Sequence, residues 1–540
     1  MKMNKFLIKN GKIVDGSGNP WFKADISLVD KKIKEIAPKI EETNFDEVID
    51  ASGLIVAPGF IDIHTHSDLT ILAGAENVLT QGVTTHVIGN CGFSLTPMDP
   101  EILQSSTLAE MLATILGVKD YNLQYHNVTE FFTDLERQGI TVNAIPLVGH
   151  SMLRIEAMGL SRKVPTPEEL EIMKASLADE LERGAFGMST GLDYPPGSFA
   201  KPNEIIELCK VVKEFDGIYT THFRGFASGL VRATKEAIKI TEGSGVSTQI
   251  SHFKPFGFWF GDIKRAYRRV EQAREKGLEI TFDVFPHASN HTFLFAMVPP
   301  WLYLSKEKLD LNKAIATLKQ SRSDPELQAR IYGEMDQIGS SFLKIKTLED
   351  WKKVYISAPG NEEYNGKTAY QIGVEKHIDP KEAIISVLID QNGQASGTYL
   401  SMTEEENLIT ITHPLSMFAS DGRIIPEDSD LFPNPYCNGT FTQVLGKYVR
   451  ELHVLTLPEA IRKMTSFPAQ KLGLKGRGLI KEDYWGDITI FDPKRIADRA
   501  TYENPRLYSE GVEYVFVNGQ LALKQGAFTR VKSGTPLLKL

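Results

Sequence analysis

Leu54-Ile55-Val56-Ala57-Pro58-Gly59-Phe60-Ile61-Asp62-Ile63 is an apolar run that ends in His64-Thr65-His66. Successive side chains of an extended strand alternate faces, so two histidines one residue apart point the same way. Imidazole is a favoured ligand of zinc, which makes the pair half of a candidate metal site. A solvated His-x-His where a strand meets a loop is the competing reading, and the rest of the chain decides between them.

Ahead of this run, residues 1–53 alternate apolar and polar in short stretches such as Phe6-Leu7-Ile8 and Asp25-Ile26-Ser27-Leu28-Val29, separated by Gly, Asn and Asp turns. Residues 475–540 repeat the pattern in Gly486–Pro493 and Val512–Gly519. Both read as small antiparallel strands, and together they predict one small β-sandwich domain built from both ends of the chain. Between them, residues 54–474 alternate short apolar strands with longer helical stretches, the pattern of a parallel sheet. Eight strands are expected: Leu54–His64, Thr85–Cys91, Asn143–His150, Ala185–Leu192, Gly217–Arg224, Ser247–Lys254, Glu279–His287 and Ser416–Gly422. Eight is the number that closes a (β/α)8 TIM-like barrel, so the expected fold class is α/β. One connecting helix is marked by Thr166 as N-cap, Pro167 in its first turn and Glu169 as capping-box partner. Leu170, Met173, Leu177 and Leu181 then make an apolar stripe that stops at Gly184.

Between the seventh and eighth strands the chain makes an insertion at about 290–410, too long to be a loop. It opens with the aromatic stretch Phe293–Tyr303 and continues with helix formers and charges, as in Lys306-Glu307-Lys308, Asp324–Gln337 and Lys381–Asp390. A lid over the barrel mouth and a decorative helical insert both fit that composition.

A barrel of this kind places its active site at the C-terminal ends of the strands, and metal ligands belong there. His64 and His66 close the first expected strand, Cys91 the second, His222 the fifth, His252 the sixth and Asp421 the eighth. Singly, each has an ordinary explanation as a core cysteine, a carbonyl-bonded histidine or a turn aspartate. Six together at strand ends favour a metal site. His86, His126, His377, His413 and His453 fall elsewhere and read as structural or surface residues.

Composition limits the partners. The 540 residues are 42% apolar and 24% charged with a net charge of −9, and they hold no basic run, which argues against nucleic acid and for a small-molecule substrate. Three widely spaced cysteines, Cys91, Cys209 and Cys437, suit a reducing compartment rather than a disulfide framework. The lysine-punctuated start is unlike a signal peptide, and no eighteen-residue apolar span occurs, so a cytoplasmic protein without a membrane anchor is expected. A homo-oligomer is compatible with this reading.

The segments APGFIDIHTHSD, TQGVTTHVIGNCGFS, GLDYPPG, YTTHFR, QISHFK, FASDG and NGTFTQVLGKYVRE resemble the amidohydrolase superfamily, specifically its N-acyl-D-amino-acid deacylase (D-aminoacylase) branch. Many members bridge two metals with a carboxylated lysine at strand four. This chain has Met188-Ser189-Thr190-Gly191-Leu192 there, and by resemblance the Cys91 thiolate takes the bridging place. The resemblance implies Zn2+ held tightly by Cys91, His222 and His252, with a second, weaker site at His64, His66 and Asp421. It also implies hydrolysis of a linear amide C–N bond in an N-acylated small molecule. Zinc lowers the pKa of a bound water from about 16 to about 7 and polarises the carbonyl. Asp421 is the expected catalytic base and then acid, because an amide nitrogen leaves only when protonated.

On the substrate side the resemblance assigns Lys254 and Tyr194 to a carboxylate. The chain departs from the branch at Phe285, where a tyrosine is usual, and at Asn434-Pro435-Tyr436, where His-Pro-Arg is usual. Tyr436 cannot supply an arginine's two parallel hydrogen bonds, which leaves Arg224 or Arg423 to compensate. His150 and His287 either add polar contacts or are structural residues of the mouth. Two rival functions remain: a cyclic amidase or lactonase opening a ring at the same site, and a non-catalytic barrel kept for assembly.

Overall fold

The computed structural model describes residues 4–97, 125–225, 229–255, 260–304 and 310–539; Lys306-Glu307-Lys308 lies outside them. The architecture is α/β. Its centre is a run of parallel strands whose residues are almost all buried on both faces, which is why they read as continuous apolar stretches. Phe60–Asp62, Val83–Ile88 and Asn143–Pro146 pair in chain order as one parallel sheet. Val148–Gly149, Gly187–Gly191, Ile218–His222, Ser247–Ile250, Ile280–Val284 and Ser416–Phe418 pair in chain order as another. Leu147 alone separates Asn143–Pro146 from Val148–Gly149, and a parallel bridge joins Thr65 to Gly422, next to the first and last of these strands.

Each of the eight expected strands has a counterpart, but the stretches 54–64 and 143–150 are each two strands rather than one. Ile55–Pro58 pairs with Lys5–Ile13 and with Ile488–Phe491, whereas Phe60–Asp62 pairs with Val83–Ile88. The switch falls at Gly59. A Cβ there would stand 2.3 Å from Thr84 Oγ1, so only glycine lets the chain cross between the sheets at this point. The sheet that receives Ile55–Pro58 has nine strands drawn from both ends of the sequence; eight run as one continuous path from Ala527–Phe528 to Lys32–Ala37, and Glu47–Asp50 pairs off that path with Lys5–Ile13.

The helix of residues Pro167–Glu182 carries the expected capping box. Glu169 N–H donates to Thr166 Oγ1 at 3.2 Å, and Thr166 N–H donates to Glu169 Oε2 at 2.7 Å. Met173, Leu177 and Leu181 are buried, and Gly184 follows with a φ of +105°.

The insertion has its own core. Asn290–Phe293, Ser396–Tyr399 and Val354–Ser357 form an antiparallel sheet, and Leu294, Met297, Leu318, Trp351, Val354, Ile384 and Tyr399 pack in one cluster beside it. Among the described residues no helix is long and apolar enough to cross a membrane.

Candidate metal centre

All six residues expected as ligands gather in one cluster just beyond the C-terminal ends of parallel strands. His222 is the last residue of its strand; the others stand two to four residues past theirs. Three occupy left-handed backbone, with φ of 52° at Cys91, 35° at His252 and 54° at Asp421. Side chains are rare there, and the turns so formed bring the three back over the strand ends.

Cys91 is the hub. Its Sγ is 3.4 Å from His64 Nε2, 3.7 Å from His222 Nδ1 and 3.7 Å from His252 Nε2. His222 Nδ1 and His252 Nε2 are 2.8 Å apart. On the other side, Asp421 Oδ1 is 3.3 Å from His64 Nε2 and 3.2 Å from His66 Nε2. The donor atoms thus form two overlapping groups, Cys91 with His222 and His252, and Cys91 with His64, His66 and Asp421, each lying within 4.8 Å. Thiolate, imidazole and carboxylate in such sets fit zinc.

The charges of the cluster are mutually dependent. Burial opposes ionisation of the Cys91 thiol, but His64, His222 and His252 around it hold its pKa well below the ordinary value. Burial likewise opposes, and bonds from His64 and His66 outweigh, so that Asp421 lies well below the carboxylate range. His66 is raised to about 9 against its own burial by Asp421 and Cys91, while burial and His252 lower His222.

Asp283 supports the cluster from behind and is not among the site residues expected from the sequence. Its Oδ1 accepts the His252 N–H at 2.7 Å and lies 3.3 Å from His64 Nδ1; its Oδ2 accepts from Gln249 at 3.1 Å. One buried carboxylate therefore orients residues from both groups. An acid inside the apolar run Ile280–Val284 is the clue that points to it.

The expected substrate-side residues separate into two sets. Tyr194 packs its ring 4.4 Å from that of His222, and its hydroxyl is 3.3 Å from Thr292 Oγ1. Tyr436 and Arg423 line a narrow cavity of about 20 Å3 beside Asp421. Lys254 is fully buried and donates to the carbonyls of Phe285, at 2.7 Å, and His287. Arg224 donates to the carbonyls of Ser198 and Ala200 and to Glu236, which ties it to the loop after the fourth parallel strand. His150 is held by Glu204 at 2.8 Å and is fully buried; His287 is held by Asp498 at 3.0 Å. Of the two arginines, Arg423 is therefore the one whose position suits a ligand beside Asp421. A larger groove of about 530 Å3, between Ala73–Leu79 and Phe528–Lys532, contains none of these side chains.

His291 also lines the cavity beside Asp421, half-buried on the insertion's strand Asn290–Phe293. Burial and the Arg423 charge push it down to about 3, so its ring is neutral. Sequence reasoning missed it because it belongs to the insertion, where the strand-end rule has no purchase.

The Amidohydrolase family model matches residues 47–208 and 411–522. N-acyl-D-glutamate deacylase of Alcaligenes xylosoxydans xylosoxydans is 32% identical over 517 residues, 95% of this chain and 92% of its own. D-aminoacylase of the same organism is 30% identical over 536 residues, 99% of this chain and 97% of its own. The crystal structure of N-acyl-D-glutamate deacylase from Bordetella bronchiseptica, complexed with zinc and a phosphonate mimic of the tetrahedral intermediate, superposes with a TM-score of 0.81 at 30% identity, covering 100% of both chains. The chain belongs to the amidohydrolase family, alongside the D-aminoacylases.

Proposed function

We propose that the protein is a zinc-dependent hydrolase that removes the acyl group from an N-acyl-D-amino acid. The observation that carries this reading is the placement of Cys91 between two donor groups, in a chain similar over nearly its whole length to N-acyl-D-amino-acid deacylases. Cys91, His222 and His252 would hold the tight zinc, and His64, His66 and Asp421 with Cys91 the weaker one. When bound, zinc supplies hydroxide at neutral pH and polarises the amide carbonyl. Asp421 accepts the proton that water loses as its oxygen bonds to the carbonyl carbon, and delivers it to nitrogen as the C–N bond breaks. Hydrogen bonds from His64 and His66 favour its ionised form. Asp283 holds His252 and His64 in place, and Tyr194, Tyr436 and Arg423 face the substrate. In this reading the eight parallel strands close as a (β/α)8 barrel spanning 54–474. The insertion covers its mouth, and the small β domain of 1–53 and 475–540 packs alongside.

The test is hydrolysis of N-acetyl-D- and L-amino acids beside cyclic imides and lactones, with and without chelator. Release of acetate and a D-amino acid, lost on chelation, is expected; ring opening alone overturns the reading. Asp421→Ala should lower turnover by at least a hundredfold while elemental analysis still finds the zinc of the tight site. Near wild-type turnover in that variant removes Asp421 from its role.

A further inference from the structure

The turn that carries Asp421 is gripped by a residue outside the metal cluster. Asp421 N–H donates to the His64 carbonyl at 3.0 Å and His66 N–H to the Gly422 carbonyl at 2.7 Å, which ties the turn to the end of the first parallel strand. Side chains hold the residues that follow. Ile424 N–H donates to Ser67 Oγ at 3.0 Å. Asn77, fully buried in the short helix Glu76–Leu79, donates from Nδ2 to the Arg423 carbonyl at 3.0 Å and accepts the Ile425 N–H on Oδ1 at 3.2 Å. Its amide pairs with this segment much as a peptide group of a neighbouring strand would. The second Nδ2 proton goes to the Cys437 carbonyl at 2.9 Å, so both donors and an acceptor lone pair are engaged. Aspartate has no donor and alanine no polar atom, so neither can replace it. The Cys437 carbonyl also accepts from Gln81 Nε2 at 2.8 Å, and Gln81 Oε1 accepts the Phe441 N–H at 3.3 Å. The helix Tyr436–Gln443 therefore has an anchor besides Asn77.

We propose that Asn77 is a positioning residue for the deacylation: it fixes the backbone just beyond Asp421 so that this carboxylate reaches both the attacking water and the leaving nitrogen. The inference rests on the deacylase reading and deepens it. A proton passes only between groups at hydrogen-bond reach, about 2.6–3.2 Å, and a misplacement of about 1 Å costs on the order of a hundredfold in rate. Asp421 acts on the bonds that change rather than on the substrate at rest, so its misplacement lowers kcat and kcat/KM together and leaves KM in place.

The experiment uses the N-acetyl-D-amino acid that wild type hydrolyses fastest and compares zinc-loaded wild type, Asn77→Ala, Asn77→Asp and Ser67→Ala, with amide hydrogen exchange measured on the same proteins. Asn77→Ala should lose about 10- to 100-fold in kcat with KM within a few-fold. Asn77→Asp, equal in size but turning a carboxylate toward two carbonyls, should lose at least as much. Exchange should quicken in residues 421–425 while the helix Tyr436–Gln443, still anchored by Gln81, keeps its protection. Zinc content and thermal unfolding midpoints show whether each variant is folded. Should neither Asn77 variant fold, Ser67→Ala decides, with a kcat loss of roughly 2- to 10-fold expected and an unchanged kcat refuting the proposal. An unchanged kcat in Asn77→Ala, a loss carried by KM, full activity in Asn77→Asp, or unaltered exchange at 421–425 would overturn it. If wild type hydrolyses no N-acetyl-D-amino acid, the deacylase reading fails by itself. Exchange then tests the grip of Asn77 alone, with faster exchange at 421–425 supporting it and equal exchange sinking it.

Discussion

Cys91, His252 and Asp421 share a backbone conformation that costs on the order of 1–3 kcal/mol at each residue. Such strain persists only where neighbours impose it, and they do: Asp283 takes the His252 N–H, and Asp421 N–H donates to the His64 carbonyl at 3.0 Å. The identity of all six cluster residues was legible because ligand chemistry restricts residue type and a parallel sheet restricts position. The backbone turns were not, and Asp283 was marked only as an acid inside an apolar strand, because its partners His252 and His64 are distant in sequence and meet it only in the fold. Glu180 shows the same dependence away from the centre. It is buried, accepts from Thr96 Oγ1 at 2.7 Å and from Val128 N–H at 3.1 Å, and burial pushes its pKa up from 4.5 to about 7. The folded protein thus holds this proton to higher pH than the unfolded chain. Its stabilising effect is full below pH 4.5 and disappears as pH rises through about 7, a change of about 3 kcal/mol. Urea unfolding of wild type and Glu180→Gln should show their stability difference changing by that order across the interval; a constant difference would refute the assignment.

Elements were readable where a local signal sufficed. The helix Pro167–Glu182 announces itself through Thr166, Pro167 and Glu169, each acting within one turn. Thr166→Ala removes the side-chain acceptor of the Glu169 N–H, and denaturant unfolding should show a loss of about 1 kcal/mol. No change would mean that packing of Met173, Leu177 and Leu181 alone sets the helix start. The stretch from Leu54 to His64 was less readable, because both halves are apolar and favour strands equally. What divides them is the approach of Gly59 to Thr84, a contact with no counterpart in local pattern.

On the scale of the whole molecule, the segment beyond Phe491 ties three bodies together. Asp498 holds His287, Ser509 donates to the Asn438 carbonyl at 2.7 Å, and Tyr355 of the insertion donates to Glu503 at 2.9 Å. Arg506 donates to the carbonyls of Ser429, of Leu431 at 3.4 Å, of Pro426 at 3.0 Å and of Glu427 at 3.1 Å. It thereby fixes the loop that leads from Arg423 to the cavity wall at Leu431–Asn434. Arg506→Ala should raise KM for the N-acyl substrate roughly tenfold while zinc content stays at the wild-type level. Loss of zinc, or an unchanged KM, would show that the loop is held by other means. Lysine should rescue poorly, having no planar fork to span several carbonyls.

The nine-stranded sheet and the Arg506 clamp also set an order of assembly. During synthesis the six cluster residues have all been added once Asp421 is made, yet Ile55–Pro58, which leads into His64, still lacks its partner Ile488–Phe491, and the cavity loop still lacks Arg506. At 5–20 residues per second the ribosome takes on the order of ten seconds to close that gap. A nascent chain passes that interval with its ligands present and its substrate wall unfinished, so competence arrives late.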